Sequence, residues 1–241
     1  MASYNFQLIS GGKGDALEHS SYVAREGRYR AKGDLVFSGH GNLPSWAGGS
    51  PADFWAAADA YERANGAAYR ELIIALPNEL AGDSLLLLVK DLVSNLVGAK
   101  PYQYAVHSRQ SSLQGSQNPH VHIMYSDRMP DGIERSADRT FSRFNPYCPE
   151  RGGCRKASAG RSWARVHEDM VAMRKRVADI QNAHLARHGH DVRVDHRSLR
   201  EQGVLRAPER HLGPGYIRRM SASEKEAYVR GRGSSGVGRA M

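Results

Sequence analysis

Two stretches decide the fold of this chain, Tyr104-Ala-Val-His107 and Asn118-Pro-His-Val-His-Ile-Met-Tyr125, and together they carry three histidines. In an extended strand, successive side chains point to opposite faces of the sheet. His120 and His122 therefore share one face, while the apolar residues beside them take the other. The second stretch thus predicts a half-buried strand that presents two imidazoles on one side.

A partner strand is predicted over Pro101–His107, which is rich in Tyr and Val. Pairing across the connection Ser108–Pro119 brings His107 to the other two imidazoles. Three neutral imidazoles suit a divalent cation with open coordination positions, which is the arrangement that a catalytic metal needs. The alternative is that the three are solvent-facing or core histidines. A second His-x-His, at His188-Gly-His190, follows a helical run and is predicted to be a helix C-cap turn.

The composition is that of a basic globular protein. The chain has 241 residues, 40% of them hydrophobic, and its 34 Lys and Arg outnumber 25 Asp and Glu for a formal net charge of +9. This length predicts one large domain, or one domain with a tail. A positive surface favours polyanions, most often nucleic acid, although composition does not choose between DNA, RNA and anionic lipid.

Cysteine usage and hydropathy predict the compartment. Cys148 and Cys154 have neither zinc-knuckle spacing nor the number needed for a disulfide framework, so reduced thiols are expected. The N-terminus lacks the basic and apolar regions of a signal peptide, and no apolar run has the length that a membrane span needs. The expectation is a cytoplasmic protein without a membrane span.

Strand and helix signals occur in a mixed order along the chain, which predicts an α+β fold with a partly antiparallel sheet. Besides the two histidine strands, the predicted strands are residues 3–9 and 68–76. The predicted helices are residues 18–28, 51–64, 83–96 and 162–187, with Ser50 and Asp83 as caps of the second and third. Loops are predicted over residues 31–50 and 126–156, an extended segment over 191–195, and disorder over 231–241.

Tyr22 is the candidate nucleophile, since Arg25, Arg28 and Arg30 follow it closely and can hold a phosphate and stabilise a phenolate. Free tyrosine has a pKa near 10, so its oxygen attacks poorly until a base, a metal or cations favour deprotonation. Packing of Tyr22 on the core, and water as the attacking group, are the alternatives. Glu71 lies in an apolar strand and needs a partner. It can pair with an Arg, orient a metal-bound His or accept the tyrosine proton.

Taken together, these residues resemble the MobA/MobL family of plasmid relaxases, the MOBQ group, and especially the relaxase domain of IncQ-type mobilisation proteins. The resemblance covers about residues 1–214, and the matching blocks occur in the family's order. These blocks are Tyr22-Val-Ala-Arg-Glu-Gly-Arg-Tyr29, Pro51–Gly66, Ala75-Leu-Pro-Asn-Glu-Leu80, Asn118–Met124, Asp131-Gly-Ile-Glu-Arg135, Pro149-Glu-Arg-Gly-Gly153, Asp195-His-Arg-Ser-Leu199 and His211-Leu-Gly-Pro214.

The resemblance implies a histidine-hydrophobic-histidine endonuclease fold, a relaxase-like two-layer sandwich with a central antiparallel sheet and helices on one side. It implies a nicking domain over residues 1–215, and residues 216–241 are then a basic, flexible tail. The family's nucleophile falls on Tyr22, its metal ligands on His107, His120 and His122, and an acidic strand residue on Glu71. Many relatives have a second Glu two residues after the first, where this chain has Ile73.

The implied activity is strand-specific nicking at an origin of transfer, with a 5′-phosphotyrosyl DNA link, a free 3′-hydroxyl and later rejoining of the strand. Mn²⁺ or Mg²⁺ is the expected cofactor. The expected partners are single-stranded or supercoiled origin DNA in a bacterial cytoplasm, accessory mobilisation proteins and a type IV secretion coupling protein. Side chains expected to contact DNA are Arg25, Arg28, Arg30, Arg109, Arg143, Arg151 and Lys156. Alternatives are a rolling-circle replication initiator, a non-catalytic DNA-binding autoregulator and a metal-dependent hydrolase that uses water.

Overall fold

A single antiparallel sheet organises the protein. The computed structural model describes residues 4–110, 117–205, 212 and 214–234. Five strands pair in the spatial order β1-β3-β5-β4-β2. They are β1 Phe6–Gly11, β2 Leu35–Gly41, β3 Tyr69–Ala75, β4 Tyr102–Gln110 and β5 Gln117–Tyr125. The predicted α+β class and the predicted pairing of the two histidine strands are both confirmed, and the β4–β5 pair lies inside the sheet.

Seven α-helices accompany the sheet within the described ranges. They are α1 Ala16–Ala24, α2 Pro51–Tyr61, α3 Gly82–Val97, α4 Ala137–Phe141, α5 Trp163–Arg187, α6 Pro214–Arg219 and α7 Ala222–Ser234. Ser50 caps α2 as predicted, because its hydroxyl accepts the N–H of Asp53. The end of α5 also follows the prediction: the N–H of Gly189 bonds to Ala186 O and that of His190 to Leu185 O, a Schellman turn.

Helices pack on both faces of the sheet. One face meets α3 and α5 in a core that contains Leu72, Ile74, Val121 and Ile123 with helix residues such as Leu88. The other face meets α1, α2 and α4 in a second core, whose members include Ala16, Phe54, Trp55, Met124 and Phe141. The expected antiparallel sheet with helices packed on it is confirmed, but the helices cover both of its faces rather than the one side that the resemblance implies. The three histidines and Glu71 share the face that α1 covers.

Strand β2 corrects the prediction of a loop over residues 31–50, which rests on the glycines of that stretch. Gly39 and Gly41 instead make room for aromatic rings of β4. A Cβ atom at Gly39 would lie 2.7 Å from the Tyr104 hydroxyl, and one at Gly41 would lie 2.5 Å from the Tyr102 hydroxyl. These two glycines thus permit close cross-strand packing rather than a turn.

Helix boundaries also differ from the sequence prediction near the nucleophile candidate. Helix α1 ends at Ala24 because Arg25 adopts a left-handed conformation, with φ of +58°, and a 3₁₀ turn over Gly27–Lys32 follows. Helix α3 begins at Gly82, so Asp83 lies in its first turn and does not cap it. Cys148 and Cys154 are free thiols, as expected.

The C-terminal part contains helices where the sequence predicts a flexible tail from residue 216. Helices α6 and α7 span most of residues 214–234, and residues 235–241 lie outside the described part of the chain. The extended segment 191–195 does not join the sheet; its Val194 exchanges two backbone hydrogen bonds with the Asn182 side chain. None of the helices within the described ranges has both the length and the apolar character for crossing a bilayer.

Candidate metal and nucleophile site

Three imidazoles converge on the α1 face of the β4–β5 pair. His107 lies directly opposite His120 in the antiparallel register, and His122 follows two residues later on the same face. One ring nitrogen from each histidine lies within 4.8 Å of the others. The ring centroids are 4.8 to 5.6 Å apart. The predicted convergence of the three histidines is therefore present in the structure.

Each imidazole uses its other ring nitrogen in a hydrogen bond to an oxygen. His107 Nε2 donates to Val23 O at 2.8 Å, and His120 Nδ1 donates to Asn118 O at 3.0 Å. His122 Nδ1 donates to Glu71 Oε1 at 2.7 Å. These acceptors fix the tautomers, so His107 Nδ1, His120 Nε2 and His122 Nε2 keep their lone pairs. Metal-binding histidines are commonly oriented in this way, and the donor set fits a divalent ion.

Burial keeps His107 and His120 in the form that a metal requires. It lowers the pKa of His107 to about 4 and also lowers the pKa of His120. Removing a cation from water is costly, so the neutral imidazole is favoured. A neutral ring keeps the lone pair that coordinates an ion.

Glu71 joins the histidine cluster to helix α1. Its side chain is fully buried, with Oε1 on His122 and Oε2 accepting from His19 Nε2 at 2.9 Å. Burial alone would raise the pKa of Glu71, but the hydrogen bonds from His122 and His19 lower it to about 2. A carboxylate so strongly stabilised as an anion orients its neighbours and is a poor proton acceptor near neutral pH. Among the predicted roles for Glu71, the geometry favours orientation of a metal-binding His.

Tyr22 projects from α1 into a cluster of rings and cations. Its ring centroid lies 6.0 Å from that of His19 and 5.3 Å from that of Tyr29. The guanidinium carbon of Arg25 lies 4.5 Å from the Tyr22 centroid, and the ammonium of Lys32 lies 4.0 Å from it. Two cations therefore lie against the ring of Tyr22.

Arg25 connects the tyrosine to the histidines. Its Nη2 donates to His107 Nδ1 at 3.1 Å, while Nε and Nη2 bind the carboxylate of Asp34 at 2.6 and 3.0 Å. Asp34 also accepts from Arg109. Burial opposes ionisation of Asp34, but Arg25 and Arg109 hold its pKa well below the usual range. The guanidinium therefore lies between the Tyr22 ring and His107.

Helix α1 is anchored at its start as well as at its end. The carboxylate of Asp59 in α2 accepts the N–H groups of Gly14, Ala16 and Leu17 at 2.7, 3.0 and 2.9 Å. Two side chains of α1, His19 and Tyr22, are thereby held at fixed positions beside the sheet.

Sequence reasoning missed His19, Lys32, Asp34 and Asp59. The i to i+3 spacing of His19 and Tyr22 was the one available signal, because residues three apart share a helix face. The other three act through contacts between distant parts of the chain. Asp34, for example, reaches Arg25 only because strand β2 lies beside β4.

The predicted DNA-contacting residues fall into two groups. Arg25 and Lys156 are mostly buried and pair with internal carboxylates, Arg25 with Asp34 and Lys156 with buried Glu62 at 3.1 Å, and their contact with DNA stays a prediction. The other five are exposed and likewise stay predictions, although Arg109 also binds Asp34; they are Arg28, Arg30, Arg109, Arg143 and Arg151. Of these, Arg109 lies nearest in sequence to the cluster, two residues after His107.

The sheet and its histidine triplet define a histidine-hydrophobic-histidine, relaxase-like fold of the α+β class. The chain belongs to the MobA/MobL family, whose model matches residues 13–222. It is 42% identical over 209 residues to the "43 kDa relaxation protein" of Salmonella typhimurium and 41% identical over 223 residues to "Mobilization protein A" of Escherichia coli.

These matches cover 86% and 90% of the chain, but only 56% and 30% of the relatives' lengths. The chain thus spans about half and about a third of these curated proteins. A solved structure described as "Molecular Basis of Vancomycin Resistance Transfer in Staphylococcus aureus" superposes with a TM-score of 0.59, covering 82% of this chain and all of the other. Its 24% identity supports the fold alone.

Proposed function

We propose that this protein is the nicking enzyme of plasmid mobilisation, a relaxase that cuts and rejoins one strand at an origin of transfer. One observation carries the proposal: three imidazoles converge within 4.8 Å of one another on the sheet face that α1 covers, and the guanidinium of Arg25 links His107 to the ring of Tyr22 on that helix. A nucleophile and a metal site so close to each other suit attack on a polarised phosphodiester. The names of the relatives, a relaxation protein and a mobilisation protein, support the same activity.

In the proposed reaction, Tyr22 Oη loses its proton and attacks the scissile phosphorus, while the bond to the 3′-oxygen breaks. The products are a 5′-phosphotyrosyl link and a free 3′-hydroxyl. One phosphate ester replaces another, so no energy source is needed and the hydroxyl can reverse the step. A divalent ion held by His107, His120 and His122, with Mn²⁺ or Mg²⁺ the expected identity, would polarise the phosphate.

The side chains around these groups have distinct tasks. Arg25 and Lys32 stabilise negative charge on the phenol and on the incoming phosphate. Glu71 holds His122 in the tautomer that leaves Nε2 free. The DNA must be single-stranded at the nick, or made so, for the phosphodiester to reach the tyrosine. Accessory mobilisation proteins and a secretion coupling protein are the further partners that this function implies.

The test uses the full chain and its Tyr22→Phe variant with candidate origin DNA, supplied as supercoils and as single strands, with Mn²⁺ or Mg²⁺. Products are separated under denaturing conditions, with and without protease. We expect a protease-sensitive adduct on the 5′ end that is lost in Tyr22→Phe and with EDTA. Tyr147→Phe is the matched control, since that tyrosine is 97% exposed on a separate loop.

Other outcomes identify the alternatives. Cleavage without an adduct, unchanged in Tyr22→Phe, would mean that water is the nucleophile. An adduct that persists in Tyr22→Phe would indicate that another tyrosine is the nucleophile. This is expected for a replication initiator, whose catalytic residues follow a different order along the sequence. Binding to several origins without cleavage would favour a DNA-binding autoregulator.

A further inference from the structure

His19 is a histidine that stands outside the metal triplet and yet touches both halves of the site. It lies on α1, three residues before Tyr22, so the two side chains share a helix face. The rings are close to parallel, with centroids 6.0 Å apart and an interplanar angle of 23°. The imidazole also stacks on Tyr69, at 4.8 Å and 11°. These two ring contacts hold the plane of the imidazole.

A buried carboxylate fixes the tautomer of the same ring. His19 Nε2 donates to Glu71 Oε2 at 2.9 Å, and the other oxygen of Glu71 accepts from His122. Glu71 is fully buried and anionic, so Nε2 carries the hydrogen and Nδ1 carries a lone pair. In the part of the chain that the structure describes, Nδ1 has no hydrogen-bond partner. The side chain is 22% exposed.

We propose that His19 is the proton acceptor for Tyr22, with Glu71 as the residue that positions it. This inference rests on the proposed nicking function and adds a catalytic residue to it. A carboxylate that orients an imidazole, which in turn deprotonates a nucleophile, is an arrangement that recurs in nucleophilic catalysis. The proposal also gives Glu71 a partner on helix α1. The family resemblance implies a second carboxylate two residues after Glu71, but this chain has Ile73 there.

Cleavage and rejoining transfer the proton of Tyr22 in opposite directions. During cleavage the O–H bond of Tyr22 breaks and its proton moves to His19 Nδ1, directly or through one water. The Oη–P bond forms, the P–O3′ bond breaks, and the 3′-oxygen keeps the electron pair and takes a proton from solvent. During rejoining the 3′-hydroxyl loses its proton to solvent as the P–O3′ bond forms, the Oη–P bond breaks, and the imidazolium of His19 returns its proton to the departing phenolate. Throughout both directions Nε2–H stays bonded to Glu71.

The alternative role is structural, with His19 serving only as a ring between Tyr22 and Tyr69. His19→Gln tests this, because the amide can still donate to Glu71 but cannot accept a proton at neutral pH. His19→Ala, in turn, leaves a space that free imidazole can occupy. The matched control is His167→Gln: His167 also stacks on an aromatic ring of its own helix, that of Trp163 at 5.5 Å. Trp163 and His167 belong to α5, whereas the nucleophile lies on α1.

The assay follows single-turnover cleavage of a single-stranded oligonucleotide that contains the nick, together with oligonucleotide binding and Mn²⁺ binding by calorimetry. We expect both His19 variants to cleave about 100-fold more slowly, within the usual range for a general base. DNA and Mn²⁺ dissociation constants should stay within about twofold of wild type, and imidazole should restore cleavage by His19→Ala at least about tenfold. His167→Gln should cleave at the wild-type rate.

Three results would overturn the proposal. The first is cleavage by His19→Gln at the wild-type rate. The second is a loss in His19→Ala that imidazole does not restore while the fold is intact by circular dichroism. The third is a loss explained by weaker Mn²⁺ binding, which would mean that His19 acts through Glu71 on His122. A wild-type protein that forms no Tyr22-dependent adduct would instead refute the nicking function itself, so the two failures are distinguishable.

Discussion

Replacing Glu71 with Gln tests how the metal site is oriented. The carboxylate accepts two imidazole N–H groups, at 2.7 Å from His122 and 2.9 Å from His19. A glutamine offers one oxygen, so one imidazole must face an amide N–H₂ group. If that imidazole is His122, its ring must present Nδ1 as acceptor, and the hydrogen then moves to Nε2. The lone pair that would bind the metal is lost in that tautomer.

The size of the effect follows from these contacts. Loss of a residue that orients a metal-binding His weakens metal affinity by about 10- to 100-fold, which is about 1.4 to 2.7 kcal/mol. Because Glu71 is fully buried, one unsatisfied N–H should also lower the free energy of unfolding by about 1 to 3 kcal/mol. The Mn²⁺ dissociation constant is measured by calorimetry, and the free energy of unfolding by urea titration without metal.

Glu168→Gln is the control, since Glu168 lies on the exposed part of α5 and its one ion pair within the described ranges is with Arg165, at 3.3 Å. An exposed pair of this kind contributes little, so this variant should match wild type in both assays. A Glu71→Gln protein that binds Mn²⁺ within about threefold of wild type would refute the claim that Glu71 sets the His122 tautomer.

Three further predictions concern stability. Gly11→Ala should lower the free energy of unfolding in urea by about 1 to 3 kcal/mol, because its Cβ would lie 1.9 Å from an aromatic ring of β3. Gly12→Ala should be neutral, since no atom would lie nearer than 4.0 Å to its Cβ. Equal effects of the two substitutions would contradict this. Leu88→Ala, in the core under α3, should lower the free energy of unfolding by about 2 to 5 kcal/mol. Leu87→Ala, at an exposed position of the same helix, should lower it by less than about 0.5 kcal/mol. A small loss in both variants would show that the core is not packed as described. Burial lowers the pKa of His107 to about 4 from an unfolded value near 6.5, so the unfolded chain is protonated first and the free energy of unfolding should fall between pH 6.5 and pH 4. Urea unfolding at pH 7 and pH 5 measures this fall. An equally large fall in His107→Gln would assign it to other groups.

The histidine strands could be predicted because their information is local. A period of two places alternate residues on one face, and the short connection makes antiparallel pairing the natural topology. The helix starts at Ser50 and Ser162 were readable for the same reason, since a hydroxyl before a helix satisfies a free N–H. The Schellman turn at Gly189 likewise depends only on its own segment.

Other features could not be predicted because they depend on distant partners. The glycines of β2 look like loop residues until the rings of Tyr102 and Tyr104 are placed across them. The ion pair of Arg25 with Asp34 is likewise invisible in the sequence, because only the β2–β4 pairing brings the two together. The face that each helix covers is also a tertiary property, which is why the second helical layer was missed.

The clamp between Asp59 and the first turn of α1 has a consequence for how this protein meets an anion. Free N–H groups at a helix start commonly receive phosphate. Here a carboxylate of the chain itself already accepts from them, so a phosphate would have to displace Asp59 to bind at that end. The opposite end of the helix instead carries Arg25 and Lys32 beside Tyr22. In the proposed reaction, a phosphate would therefore meet side chains there rather than helix N–H groups, and a long side chain such as that of Lys32 can adjust its position more than a fixed backbone can.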